Sequence, residues 1–186
     1  MTGYSFVVLE LFLAAIVLVF VPYDYLWFGL FVVVLVGLPG IRARWGGAPY
    51  VRSSKGTQDT MFRFADIQPG ETVFDLGCGD GTVIRRASKI GAKATGIEAS
   101  FLTFLLAWCW CLPFRNARIR FGDLWKGEYR DADVVFCYLL VSSMRRFEAE
   151  IWPTLKPGCR VVSNSFRMKG ITPEKEEGDV FLYRKP

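Results

Sequence analysis

The chain has no histidine among its 186 residues. That removes the commonest general base, and with it the usual Ser-His-Asp and Cys-His hydrolase arrangements. Its five cysteines, Cys78, Cys109, Cys111, Cys137 and Cys159, are odd in number and include no C-x-x-C pair. Zinc sites draw on His or on paired Cys, so no metal centre is expected, and the thiols read as reduced and buried in a cytosolic domain. Also missing is any base near the start: all 23 Lys and Arg lie after residue 41. No internal repeat is visible.

The first 41 residues hold apolar sequence instead. "YSFVVLELFLAAIVLVFV" (4–21) runs for 18 residues with Glu10 as its one charge, and "YLWFGLFVVVLVGL" (25–38) follows Pro22-Tyr23-Asp24. Crossing the hydrocarbon core of a bilayer takes roughly 20 apolar residues, with a lower limit of about 17. The first run reaches that length and the second reaches it marginally. A cleaved signal peptide wants a basic start and a small-residue cleavage site. Met1-Thr2-Gly3 has no base, and no A-x-A-like site follows residue 21. Residues 1–41 are therefore expected to be a retained transmembrane anchor. It is either a helical hairpin turning at 22–24 or one spanning helix plus an interfacial one. Arg42 and Arg44 flank the second run, which puts the rest of the chain on the cytoplasmic side. That remainder holds all 23 bases against 16 of the 18 acids. Its surplus would draw it toward anionic headgroups or toward nucleic acid.

Residues 42–58 read as a linker, within "PGIRARWGGAPYVRSSKGTQ", and 59–186 as the folded domain. From Asp59 the spacing of Met61, Phe62, Phe64, Ala65 and Ile67 predicts a helix, stopped by Gln68-Pro69-Gly70. Strands are expected at "TVFDL", "ATGIEAS" (94–100), "ARIRFGD" (117–123), "DVVFCYLL" (133–140) and within "KPGCRVVSNSF" (156–166). Helices are expected at "GTVIRRASKIGAK", "FLTFLLAWCWCLPF" and "SSMRRFEAEIWPTL". The tail offers a short strand, a turn at Glu177-Gly178 and a last strand "VFLYRK". Strands alternating with helices predict a parallel sheet covered on both faces, a Rossmann-like α/β domain.

The stretch "VFDLGCGDGTV" (73–83) sets a glycine-rich turn at the end of the first strand, where such sheets bind ligands. A dinucleotide site has the spacing G-x-G-x-x-G and leaves backbone amides free for a pyrophosphate. Here the spacing is G-x-G-x-G, and Asp75 and Asp80 bring two carboxylates to the turn. Those repel a phosphate and suit a cation. S-adenosylmethionine has an ammonium, a sulfonium and no phosphate. Glu98 ends the second strand, 21 residues after Gly77, where an acid can accept hydrogen bonds from both ribose hydroxyls. Asp123 follows the third strand and could take the adenine amino group, or cap the next helix. Trp125 or Phe101 would offer the base an apolar surface.

"DLGCGDG", "GIEAS", "GDLW" and "LKPGCRVV" resemble the class I S-adenosylmethionine-dependent methyltransferases. "PYVRS" (49–53), "DVVFCYLL" with "MRRFE", and "RVVSNSF" with "VFLYRK" are similar to the small protein-lysine methyltransferases. That group includes archaeal enzymes of broad specificity and membrane-anchored mitochondrial ones acting on the ATP synthase c subunit. The resemblance implies that Asp75, Gly77 and Gly79 hold the methionine part of the cofactor, Glu98 the ribose and Asp123 the adenine. Cys78, Ala99 and Leu124 flank these residues in the same site. Tyr50 and Ser53 would close over the cofactor, which leaves as S-adenosylhomocysteine. The chain departs from the family pattern at Arg52 and at Val141, where proline is usual.

Methyl transfer from a sulfonium is an in-line displacement that asks mainly for positioning. Holding donor and acceptor ~3–3.5 Å apart can supply roughly 7–11 kcal/mol. Tyr138, at the end of the fourth strand, is expected to line the acceptor channel as the catalytic residue, or else to pack under the following helix. The implied acceptor is a lysine of a membrane or membrane-adjacent protein, with a lipid or quinone-type ring as the alternative. Nucleic acid is not expected, because "YLLV" stands where base-methylating relatives carry Asn-Pro-Pro-Tyr. The helix over 101–114 has no polar residue but Thr103, where a surface helix normally has a polar face. It is expected to meet the membrane, the N-terminal apolar segments or a second copy of the chain.

Overall fold

A computed structural model describes residues 22–25, 27–29 and 54–186. The expected anchor, apart from those first seven residues, lies outside the described residues, as do most of the linker, Tyr50 and Ser53. Among the described residues no helix is long and apolar enough to cross a membrane.

The domain opens with α1 (Lys55–Ala65), β1 (Thr72–Leu76), α2 (Thr82–Ile90) and β2 (Lys93–Glu98). It continues through α3 (Phe101–Cys111), β3 (Ala117–Phe121), β4 (Val134–Cys137) and α4 (Val141–Glu150). β5 (Arg160–Asn164), β6 (Lys175–Glu177) and β7 (Val180–Arg184) complete it. The seven strands form one sheet in the order β3-β2-β1-β4-β5-β7-β6. β1 to β5 are mutually parallel, whereas β7 runs antiparallel to β5 and β6 antiparallel to β7. The sheet is thus mixed, because a tight hairpin at its far edge cannot make a parallel crossover.

α1 starts four residues before the expected Asp59. The Ser54 hydroxyl accepts the Thr57 amide at 3.1 Å and caps the helix inside what reads as linker. Gly56 in the first turn hides this start, since glycine weakens a helical pattern.

Alternation along the strands sends side chains into two cores. Val73, Val134, Phe136, Val162 and Leu182 meet α1 and α2 on one face, while Leu76, Val135, Cys137, Val161 and Tyr183 meet α4 on the other. β4 and β5 are buried at every residue; β4 accordingly reads as an unbroken apolar run, whereas β5 buries Arg160, Ser163 and Asn164 as well. β4 nevertheless ends at Cys137, three residues short of the expected end.

α3 packs in an unusual sense. Its inward stripe is Thr103, Ala107 and Cys111, all buried, and Phe101, Leu105, Trp108 and Trp110 are exposed, with Leu102, Phe104 and Leu106 half-buried between. Thr103, the expected trace of a polar face, lies against the sheet instead and donates to the Ser100 hydroxyl at 3.0 Å.

Candidate active site

Strand register builds the site as one row. Leu76 pairs with Ile97 on one side and Cys137 on the other, and Cys137 pairs with Ser163. One residue further, Glu98, Gly77, Tyr138 and Asn164 therefore stand abreast at the carboxyl edge of the sheet. Glu98 pairs onward with Phe121, and Asn164 with Val180. The strand order reverses between β1 and β4, so the row spans the switch point where open sheets bind ligands.

Gly77, Gly79 and Gly81 turn the chain with φ of 82°, 54° and 72°, values that L side chains rarely adopt. The amides of Gly77 and Cys78 both donate to the Ile97 carbonyl at 3.0 Å, and that of Gly81 to the Cys78 carbonyl at 2.9 Å. The Gly79 amide donates to Glu98 at 3.0 Å. These donors are spent inside the turn, which argues against a pyrophosphate there. Asp80 uses Oδ1 to accept the Thr82 amide at 3.0 Å at the start of α2.

The charge of the turn fits a cation. Asp75 is buried, and desolvation, then Glu98, then Asp80 push its pKa up to about 8. Glu98 takes the Gly79 amide on one oxygen and the Ser100 amide on the other, at 3.0 and 2.8 Å. Burial still raises its pKa despite those donors. The Ala99 amide also donates to Glu98, leaving the carboxylate a lone pair for a ribose hydroxyl. A ligand bringing an ammonium to this cluster would relieve Asp75, whereas a phosphate would aggravate it.

The remaining residues fall into distinct roles. The Cys78 thiol is buried against Gly96, so Cys78 supports the turn from beneath. Ala99 links Glu98 to Ser100, and Leu124 packs on the α4-side core. Asp123 accepts the Trp125 amide at 3.0 Å and caps a short turn, Leu124–Lys126, leaving its other oxygen for an adenine. Trp125 lies under the Arg146 guanidinium at 4.3 Å. Phe101 meets Phe121 edge-on at 5.7 Å beside Glu98, and the sequence does not single out Phe121.

On the other side of the turn is a cavity of about 350 Å³. Ser54, Thr57 and Thr60 of α1 line it, with Tyr138, Asn164, Ser165 and the β6–β7 turn at Glu177, Gly178 and Asp179. Glu177 ties that turn to α1 through Thr60 at 3.1 Å and Arg63 at 2.5 Å. Ser165 holds φ at 68° while its amide donates to the Asp179 carbonyl at 2.7 Å. The half-buried Tyr138 ring lies 6.4 Å from that of Phe166. Asn164, Glu177 and Asp179 are not marked by any sequence motif. Only their nearness to "SNSF" and the expected Glu177-Gly178 turn hints at them.

A switch-point turn ringed by carboxylates, a buried acid ending β2 and a polar cavity beyond β4 fit a class I S-adenosylmethionine-dependent methyltransferase. The cofactor supplies an electrophilic methyl group, and Asp75, the Gly77–Gly79 turn, Glu98 and Asp123 are the residues that would hold it. The chain matches the ANTKMT methyltransferase domain over residues 75–175, more than half its length, and belongs to that family. A protein-lysine N-methyltransferase of Saccharolobus islandicus is 30% identical, the match covering 73% of this chain and 92% of that protein. The adenine nucleotide translocase lysine N-methyltransferase of Mus musculus is 31% identical, over 70% of this chain and 58% of the mouse protein. An RNA methyltransferase from Salinibacter ruber, crystallised with S-adenosyl-L-homocysteine, superposes with a TM-score of 0.68 at 30% identity. That match covers 73% of this chain and 94% of the Salinibacter chain.

Proposed function

We propose that this enzyme methylates lysine side chains of a membrane or membrane-adjacent protein. It would do so while held at the bilayer by residues 1–41, with its domain on the cytoplasmic side. The observation that carries the lysine reading is the lining of the acceptor cavity. Among the described residues it includes Asp179 and Glu177, the latter paired with Arg63, and no Lys or Arg lines it. Such a lining attracts an ammonium and repels a phosphodiester. The attacking amine must be neutral, and lysine's ordinary pKa is about 10.4. Desolvation beside Tyr138 and Phe166 lowers it. Tyr138 and Asn164 then serve to aim the amine, and a chain without histidine lacks nothing the reaction needs.

Support for the membrane side comes from the two apolar runs, the first base at Arg42, and Trp27 and Phe28, which are 81% and 67% exposed. The mouse relative is named for a lysine on a translocase. The Salinibacter relative is named for RNA, and Asp179 in the cavity argues against that acceptor here.

The test supplies full-length protein, methyl-labelled S-adenosylmethionine and native membranes, then separates protein, lipid and RNA. Label on lysine in a protein band is the expected result. Label in the lipid phase would transfer the enzyme to lipid or quinone-type acceptors, and label in RNA would place it with the Salinibacter protein. Either would overturn the lysine reading.

A further inference from the structure

The β3 end of the sheet combines two features that a free surface rarely shows together. The first is the outward-facing apolar side of α3. Phe101, Leu105, Trp108, Trp110 and Leu112 are all exposed there, and Phe121 continues the patch on the edge strand. Monomer surfaces seldom leave such rings and leucines contiguous without a use for them.

The second feature is charge. Residues 81–122, which build α2, β2, α3 and β3, hold seven bases and a single acid, Glu98, which is bonded into the glycine turn. Their surplus of six exceeds the whole chain's +5, so all the other residues together sum to −1. The bases bracket the apolar patch. On one side Arg85 lies over Trp110 at 5.2 Å and Lys89 over Phe114 at 5.6 Å. On the other, Arg115 is exposed just past α3, whereas Arg118 and Arg120 alternate with Ile119 and Phe121 and stand on the far face of the edge strand.

We propose that this face is a membrane contact, seated on a bilayer with anionic headgroups and separate from the N-terminal anchor. Aromatic rings at headgroup depth with bases around them are the pattern of interfacial helices. Other occupants fit the charges less well. In a two-fold dimer the bases would meet their own copies. Residues 1–41 offer only Glu10 and Asp24 to seven bases. Single-stranded RNA would use the rings, but Leu105 and Leu112 give bases nothing to stack on. A helix after a parallel strand runs back along it, so α3 lying flat on the bilayer lays the strands parallel to the surface. The catalytic edge then opens sideways along the membrane, at the height of a juxtamembrane lysine.

Cys109 is exposed on this face, and the other four cysteines are buried. The experiment labels Cys109 of the full-length protein with acrylodan. Emission is read in phosphatidylcholine vesicles and in vesicles that also contain phosphatidylglycerol. A blue shift that grows with phosphatidylglycerol and recedes with salt is expected. Reversing two bases beside the patch in K89E/R115E should weaken that lipid dependence about 25-fold, at roughly fivefold per base near the surface, with S-adenosylhomocysteine binding intact. Emission equally blue in phosphatidylcholine and insensitive to the reversal would mean that the chain itself or a second copy covers the face. A shift with single-stranded RNA and none with vesicles would assign it to RNA. Either result overturns the proposal. Flotation of the same vesicles reads the anchor separately, so a protein that floats without a lipid-dependent shift retains its anchor and loses this contact.

Discussion

The two halves of the catalytic edge are built differently. On the β1–β2–β3 side the ligand-facing groups are pinned by backbone. Two turn amides go to Ile97, and Glu98 is fixed by the amides of Gly79 and Ser100. On the β4–β5–β7 side the cavity wall is made of side chains from α1, loop ends and a hairpin turn, held by contacts such as Glu177 with Arg63. The first half can keep one ligand with little tolerance for change. The second can be recast by surface substitutions without disturbing a strand. That division matches relatives named for methyl transfer to lysine in two cases and to RNA in the third.

If the cofactor half is as tightly fixed as this, breaking it should have the largest effect. Glu98→Ala removes a charge-assisted acceptor from two amides and from the ribose. With each such bond contributing about 1.5–3 kcal/mol, cofactor affinity should fall at least a hundredfold. Isothermal titration with S-adenosylhomocysteine measures it. A loss below tenfold would mean that Glu98 does not hold the ribose.

Close packing under the turn gives the next test. A Cβ at Gly96 would lie 2.6 Å from the Cys78 sulfur and 2.7 Å from its Cβ. Gly96→Ala should therefore cost about 1–3 kcal/mol of stability, read as a lower melting temperature. Gly96→Ala combined with Cys78→Ala should recover part of it, and failure to do so would place the strain elsewhere.

Asp75 sharpens the comparison through pH. Its pKa is raised from an ordinary 3.8 to about 8. The stability of the free protein that depends on a neutral Asp75 is present at low pH and is lost as pH rises toward 8. A cationic ligand selects the ionised form. Cofactor affinity should accordingly rise about tenfold per pH unit up to 8 and level off above it. Asp75→Asn should flatten that profile, and a profile unchanged in Asp75→Asn would assign the titration to another group.

Much of the cofactor half is legible in the sequence because backbone conformation leaves a mark there. Positive φ demands glycine, a strand end fixes where Glu98 falls, and burial on both faces makes β4 a continuous apolar run. The acceptor half leaves no comparable mark. Ser54, Asn164 and Asp179 are ordinary polar residues, more than 100 positions apart at the extremes, and only the sheet order brings them together. α3 is illegible for a different reason. With apolar residues all round, periodicity cannot tell which stripe faces inward, and side-chain size decides it: Thr103, Ala107 and Cys111 allow close approach to the sheet.

The acceptor half should respond to substitution by smaller amounts. Tyr138→Phe keeps the ring against Phe166 and removes a hydroxyl that can orient the amine. Losing one such hydrogen bond, about 0.5–1.5 kcal/mol, predicts a fall in kcat of two- to tenfold with cofactor affinity unchanged. Unchanged kcat in Tyr138→Phe would make Tyr138 a packing residue.

Asp179 should give the smallest effect and the most specific one. It sits on the exposed β6–β7 turn in the wall of the cavity. Its charge acts on an incoming lysine through solvent, where such attractions are weak and screened by salt. Asp179→Asn should raise KM for a lysine peptide about two- to fivefold at low salt, leave kcat and the cofactor's KM alone, and lose its effect at high salt. A fall in kcat would put Asp179 in contact with the reacting amine. No change in KM at low salt would remove the electrostatic reason for preferring a cationic acceptor, and the acceptor half would then be selecting by shape alone.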